Sequence, residues 1–258
     1  MELNSYIDHT LLKADATASD IEELVQEAVD YNFAAVCVQG CWVSYAKDRL
    51  SNSDVKVATV VGFPLGGSST ESKGNEASNA VINGADEIDM VINVGWALSG
   101  MWDSVQADIE NVVVSSRIAE LLLSDNAVDF ENDLDSLYEC STNEELQRAL
   151  NELKIDKNSF NTKVKVILET SLLDNEQIKN ACECARVAGA DFVKTSTGFS
   201  SSGAKLEHVQ LMCETVGNTM EIKASGGIRS YEEAIEFINA GASRLGTSAS
   251  VKIVTEQL

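Results

Sequence analysis

An α/β fold of the (β/α)₈-barrel type is predicted by three features of the chain. Eight short apolar runs have strand character, amphipathic helical segments alternate with them, and glycine–alanine pairs close several of those helices. Strict alternation with short loops points to a parallel sheet. Eight such units suit a closed barrel better than an open doubly wound sheet, and no strand leads into G-x-G-x-x-G or a Walker A loop.

Strands are expected at Ser5–Leu11, Ala34–Val38, Val55–Val61, Glu87–Ile92, Lys163–Glu169, Asp191–Thr195, Glu221–Ala224 and Arg244–Thr247. Ser19–Tyr31 reads as a helix capped by Ser19, with Ile21, Leu24 and Ala28 on its apolar face. Asn175–Ala188, Leu206–Val216 and Tyr231–Ala240 carry similar patterns. Gly84-Ala85, Gly189-Ala190 and Gly241-Ala242 each precede a strand, where glycine supplies the left-handed residue that stops a helix.

Residues 1–258 read as one domain with enough chain to bury a substantial core. One stretch breaks the rhythm. From about Ser116 to Phe160 the fourth crossover is far longer than the others and holds eleven acidic against four basic residues. Within it, Asn143–Lys154 has helical periodicity through Leu146, Ala149, Leu150 and Leu153. This 116–160 segment is read as a surface helical insertion at a subunit contact.

The net charge of −22 sets nucleic acid and acidic membranes aside as partners, because both repel an acidic surface. It also means that an anionic ligand needs local positive potential at its site. Cys37, Cys41, Cys140, Cys182, Cys184 and Cys213 lack the paired spacing and neighbouring histidines of a zinc ribbon, so reduced and mostly buried thiols are expected. No basic-then-apolar leader and no apolar run near ~20 residues is visible, so a soluble cytoplasmic protein is expected.

Three charged residues fall inside apolar strands, where charge is costly unless used: Asp89 in EIDMVI, Lys194 in DFVKTSTG and Lys223 in EIKASGG. A lysine in a barrel strand can point inward and reach the mouth, or lie outward and snorkel past the helices. Two lysines on adjacent strands with an aspartate on another favour the inward reading. A nucleophilic amine must be neutral, yet free lysine has a pKa near ~10.4. A second ammonium and desolvation both disfavour the charged form, which would let Lys194 attack a carbonyl while Asp89 relays protons. A metal route would need converging histidines, and the chain has only His9 and His208. The same shortage argues against a Ser-His-Asp triad, and His9 reads as a residue that is structural or supports the site from behind, not as a ligand.

Gly198, Gly226-Gly227 and Gly246–Ser248 end or follow late strands. Their exposed N–H groups and the helix starts beyond them would favour an anion, as at barrel phosphate sites.

At this point IDHTLL, VGFPLGGSSTESK, NGADEIDMVINVG, KVILETSLL, DFVKTSTGF, KASGGIR and GTSASV, in that order, closely resemble the deoxyribose-phosphate aldolase family. The resemblance implies reversible cleavage of 2-deoxy-D-ribose 5-phosphate to D-glyceraldehyde 3-phosphate and acetaldehyde, by a class I mechanism without metal or organic cofactor. It implies Lys194 as Schiff-base former, Lys223 as its electrostatic partner and Asp89 as proton donor and acceptor. Phosphate is expected at Thr197, Gly198, Gly226, Gly227 and Ser248, with Thr10, Cys37 and Lys205 close around the site. A homo-oligomer, dimer or tetramer, is expected. The chain departs from the family at Gln39 and Gly40, where Asn and Pro are usual, and at Lys205, where threonine is usual. Ala249 replaces one hydroxyl of a serine pair, and Phe199 stands where some members carry lysine. Lys205 is expected to supply a compensating cation.

Overall fold

The apolar runs pair side by side as parallel strands, in the order β1 to β8, and β8 closes the ring onto β1. The computed structural model describes residues 2–123, 137, 140–152 and 160–256. The strands are β1 (Ile7–Leu11), β2 (Ala35–Val38), β3 (Lys56–Val61), β4 (Glu87–Val91), β5 (Lys163–Ile167), β6 (Phe192–Lys194), β7 (Glu221–Ser225) and β8 (Arg244–Thr247). The helices are α1 (Ala18–Asp30), α2 (Val43–Arg49), α3 (Thr70–Ile82), α4 (Val94–Leu98), α5 (Trp102–Leu123), α6 (Asn143–Glu152), α7 (Asn175–Val187), α8 (Leu206–Val216), α9 (Tyr231–Asn239) and α10 (Ser250–Thr255).

Most boundaries shift by a residue or two from the sequence reading, and three of the shifts have a visible cause. The first strand is preceded by a 3₁₀ turn over Leu3–Tyr6, so pairing starts at Ile7. Thr17, not Ser19, caps α1: its hydroxyl accepts from the Asp20 N–H while the Asp20 carboxylate accepts from the Thr17 N–H, and Glu22, the acid three residues beyond Ser19, instead accepts from Tyr45 and Arg49. Strand β5 ends at Ile167 because Glu169 turns into the left-handed region, φ 55°. Gly84, Gly189 and Gly241 do take positive φ, as helix stops should.

The side-chain alternation of the strands sorts the barrel into two layers. Ile7, Val36, Val57, Ile88, Met90, Val164, Val166, Val193, Ile222 and Leu245 belong to the outer core shared with the helices. Residues one position out of phase face the barrel axis. On β2 and β3 these are small and apolar, Ala35, Cys37, Ala58 and Val60, and form a separate inner cluster with Leu12. On β4 to β8 and β1 they include the charged residues Glu87, Asp89, Lys165, Lys194, Lys223, Arg244 and Asp8.

Helix α5 runs straight through Ser116, where the insertion was expected to begin, and buries Ser116, Ile118, Ala119 and Leu121. Helix α6 lies within the expected Asn143–Lys154 span, and Leu153 and Lys154 fall outside the described residues. Leu146 and Leu150 of α6, with Leu137, pack on Val114, Ile118 and Leu121 of α5 as a second small core. Most of the acidic run between α5 and α6 also lies outside the described residues.

Candidate active site

Seven charged side chains converge in the charged half of the barrel: Asp8, Glu87, Asp89, Lys165, Lys194, Lys223 and Arg244. Their strand positions explain the meeting. Asp89 pairs in register with Lys165, Lys194 with Lys223, and Lys223 with Arg244, so each inward residue lies beside the next around the ring. Gly246 on β8 leaves the necessary room, since a Cβ there would stand 3.0 Å from Lys223 Cε.

Asp89 is the hub. Its Oδ2 accepts from Lys194 Nζ and from Lys223 Nζ, 2.7 Å in each case, and its Oδ1 accepts from Lys165 Nζ at 2.7 Å. Lys165 also donates to Glu87 at 2.5 Å, and Lys223 donates to Asp8. Arg244 reaches Asp8 at 2.7 Å and Glu87 at 3.1 Å. Phe192 lies below, its ring centroid 5.9 Å from Lys165 Nζ and 5.7 Å from Arg244 Cζ.

Three carboxylates face four cations, so one positive charge is in excess, and the field decides which. Burial pushes the Lys194 amine below the ordinary lysine value, and the Lys223 ammonium adds to that against the pull of Asp89. Burial acts on Lys223 too, yet Asp8 and Asp89 outweigh it and hold that ammonium above the ordinary value. Lys165 is likewise buried but is held well above by Asp89, Glu87 and Asp8. Burial raises the Asp89 carboxyl, but Lys165, Lys194 and Lys223 together keep it well below the usual carboxylate range. Lys194 is therefore the amine that most readily gives up its proton, and losing it balances the network.

Lys194 is also the one of the three lysines that lines the cavity above. This cavity, of about 290 Å³, lies between Lys194 and a rim formed by Thr197, Gly198, Gly226, Gly227 and Ser248. The N–H groups of Gly198, Gly226, Gly227 and Ser248 have no hydrogen-bond partner among the described residues. The neighbouring N–H groups of Phe199 and Ala249 are taken by the hydroxyls of Thr197 and Thr247. A ring of free backbone donors thus faces a space with a deprotonatable amine at its base, the local positive potential that the acidic chain as a whole lacks. The loops supply these donors. Helix α10, which follows Ser248, has only six residues.

Thr10 lines the same cavity and its hydroxyl donates to the Asp8 carbonyl at 2.8 Å. Cys37 faces inward and is fully buried, and burial raises its thiol. Lys205 is a correction. It is exposed in the residue before α8 and does not line the cavity, where it was expected close to the anion. Lys13 and Arg229 line the cavity instead. His9 lies on the outer face of β1, with Nε2 2.7 Å from Glu27 and Nδ1 2.9 Å from Ser250, and ties β1 to α1 and α10. A larger hollow of about 440 Å³ opens beyond the β1–α1 loop, but its acidic wall of Asp15, Asp20, Glu23 and Glu27 does not include Lys194. Among the described residues no group of three or more His, Cys, Asp or Glu could hold a metal ion, and no helix is long and apolar enough to cross a membrane.

Asp8, Glu87, Lys165 and Arg244 were not picked out from the sequence. Each sits in an apolar strand one residue out of phase with core residues, the same signal that marked Asp89, Lys194 and Lys223. Gly203 was also missed. A Cβ on it would stand 2.0 Å from the Gly226 carbonyl oxygen, so the 198, 203 and 226 segments meet backbone to backbone.

A model of the DeoC/LacD family aldolases matches residues 3–123 and 135–249. The chain belongs to this family. The match enters the segment read as an insertion and leaves only 124–134 between its two parts. The chain is 46% identical to a deoxyribose-phosphate aldolase of Lactococcus lactis subsp. cremoris, over 98% of this chain and 96% of that protein. It is 46% identical to that of Streptococcus pneumoniae, over 100% of this chain and 98% of the other. Among solved structures, a putative deoxyribose-phosphate aldolase from Coccidioides immitis superposes with TM-score 0.81 at 37% identity, covering 99% of this chain and 85% of that one. A tetrameric deoxyribose phosphate aldolase from Aeropyrum pernix superposes with TM-score 0.77 at 31% identity, covering 99% and 90%.

Proposed function

We propose that the chain is a class I deoxyribose-phosphate aldolase, cleaving 2-deoxy-D-ribose 5-phosphate to D-glyceraldehyde 3-phosphate and acetaldehyde. The observation that carries this is the singular state of Lys194, the cavity-lining lysine whose ammonium is disfavoured, below a ring of free backbone donors. The relatives above are aldolases of that name at close to half identity over nearly the whole chain.

The neutral Lys194 amine adds to the C1 aldehyde of the open-chain sugar, and loss of water from the carbinolamine leaves a protonated Schiff base. The iminium then accepts the electron pair of the C2–C3 bond as the C3 hydroxyl loses its proton, which releases glyceraldehyde 3-phosphate and leaves an enamine. Protonation at C2 and hydrolysis free acetaldehyde and regenerate Lys194. Asp89 is the proton carrier, directly or through a water, and Lys223 keeps both it and Lys194 in the required states. The phosphate lies on the Gly198, Gly226, Gly227 and Ser248 N–H groups, with Thr197 beside them. A homo-oligomer in the cytoplasm, dimer or tetramer, with the acidic segment at a subunit contact, belongs to the same reading.

A retro-aldol assay on 2-deoxyribose 5-phosphate, with and without a chelator, tests the proposal. Both products form at equal rates in either condition. Absence of cleavage, or its loss on chelation, would overturn it.

A further inference from the structure

We infer that Glu169 is a positioning residue of the anion site: its buried carboxylate fixes the Thr197–Phe199 turn so that the Gly198 N–H is the donor left for the substrate phosphate. The inference rests on the sugar-phosphate reading above.

Glu169 follows the end of β5 and is 4% exposed. It adopts φ 55° and ψ 57°, a left-handed conformation that a residue with a Cβ takes only when its surroundings compel it. The compulsion is visible on both sides. Leu168 N–H donates to the Lys194 carbonyl and Thr170 N–H to the Thr195 carbonyl, 2.9 Å each, so the flanking residues are pinned to β6 and its extension while Glu169 twists between them. The twist delivers the carboxylate to the turn that follows Lys194. Oε2 accepts from both the hydroxyl and the N–H of Thr197, the latter at 3.3 Å.

The consequence passes along the chain. With its proton directed at Glu169, the Thr197 hydroxyl has a lone pair free, and it accepts from the Phe199 N–H at 3.1 Å. Of three successive N–H groups, those of residues 197 and 199 are therefore occupied. The Gly198 N–H between them has no partner among the described residues, and Gly198 lines the cavity. Gly198 has φ 84°, which completes the reversal.

Core stability does not account for Glu169. Its second oxygen, Oε1, is buried and has no hydrogen-bond partner among the described residues, which is costly for a carboxylate. Glu169 is not part of the cavity wall, so it acts on the ligand through Thr197 and not by contact. A carboxylate near an anion site would ordinarily repel the ligand. Here it is spent on organising donors.

The test compares the parent with Glu169→Ala and Glu169→Gln. Steady-state cleavage of 2-deoxyribose 5-phosphate and of unphosphorylated 2-deoxyribose is measured, together with calorimetric binding of inorganic phosphate. Glu169→Ala is expected to raise KM for the phosphorylated substrate about tenfold or more, and to lower the preference for it over the unphosphorylated sugar by a similar factor. Phosphate binding should weaken in parallel, and Glu169→Gln, which keeps an acceptor for the Thr197 hydroxyl, should restore part of each loss. Equal losses on both sugars, or unchanged phosphate binding in both variants, would overturn the inference. A parent that binds phosphate but does not cleave the sugar phosphate would instead refute the aldolase reading. In that case the phosphate titrations of the variants still decide the role of Glu169, and a parent that binds no phosphate refutes it.

Discussion

The amines of Lys194 and Lys223 meet at one oxygen, each donating to Asp89 Oδ2 from 2.7 Å. The two nitrogens share a carboxylate but not a fate. Lys223 has a second carboxylate, Asp8, and keeps its proton; Lys194 has none and faces the cavity. Loss of the Lys194 proton turns the shared oxygen from a bridge between like charges into an ordinary ion pair of Lys223.

Replacing Lys223 with leucine removes a like charge beside Lys194 and leaves Asp89 with fewer cations to satisfy it. Both changes raise the Lys194 pKa. Each unit of increase lowers the neutral fraction at pH 7 about tenfold. The acidic limb of the kcat/KM profile should shift to higher pH, and the rate at neutral pH should fall by at least that order. An unmoved limb would remove Lys223 from this role.

Asp89→Asn leaves three ammonium groups around a neutral amide. Breaking a buried pair in this way costs about 3–5 kcal/mol, so the urea midpoint should drop markedly. Without Asp89 to hold its proton, Lys194 is still more easily deprotonated, and it should still form a borohydride-reducible adduct with acetaldehyde. Turnover should nevertheless fall about 10²- to 10⁴-fold, because proton transfer is lost. Unimpaired turnover would contradict the relay.

Lys194→Met should stabilise the fold while abolishing activity. The folded state holds the Lys194 proton less tightly than the unfolded chain does. The parent therefore carries a penalty at any pH below the folded pKa, and the penalty fades as pH rises toward the unfolded value near ~10.4. Methionine removes it and leaves three carboxylates against three cations. Denaturant unfolding at pH 7 should show a gain of about 0.5–2 kcal/mol that shrinks at alkaline pH. A less stable variant at pH 7 would contradict the charge balance.

Gly203→Ala puts a Cβ 2.0 Å from the Gly226 carbonyl oxygen, so backbone has to move at the rim. Overpacking of this kind costs about 1–3 kcal/mol. Lys194 lies outside that contact, so the expected signature is a raised KM for the phosphorylated substrate with adduct formation at Lys194 retained. Loss of the adduct would mean that the rim and the base of the cavity are one unit.

Much of this was legible in the chain. The strands showed as apolar runs, and Asp89, Lys194 and Lys223 as charges inside them. Lys165 carries the same mark between Val164 and Val166, yet an alternating KVKVI also describes a strand with one wet face, and only barrel closure tells the two apart. Asp8 and Arg244 stand near strand starts, where charge commonly meets solvent; the register of β1 with β8 brings them inside. Thr17 and Ser19 are both good caps with an acid three residues on, and only the fold shows that Glu22 turns to Tyr45 and Arg49 while Asp20 closes the box on Thr17. Lys205 looked like an anion contact because it falls in a familiar motif, but its backbone faces the start of α8 and its side chain the solvent. Glu169 had no sequence mark at all, since a left-handed residue inside a strand-like run declares itself only in the fold.

Borohydride reduction in the presence of acetaldehyde, followed by peptide mapping, tests the central claim most directly. One new secondary amine on Lys194 is predicted, with Lys165 and Lys223 unmodified. An adduct on either of those lysines, or an unmodified Lys194, would contradict the account.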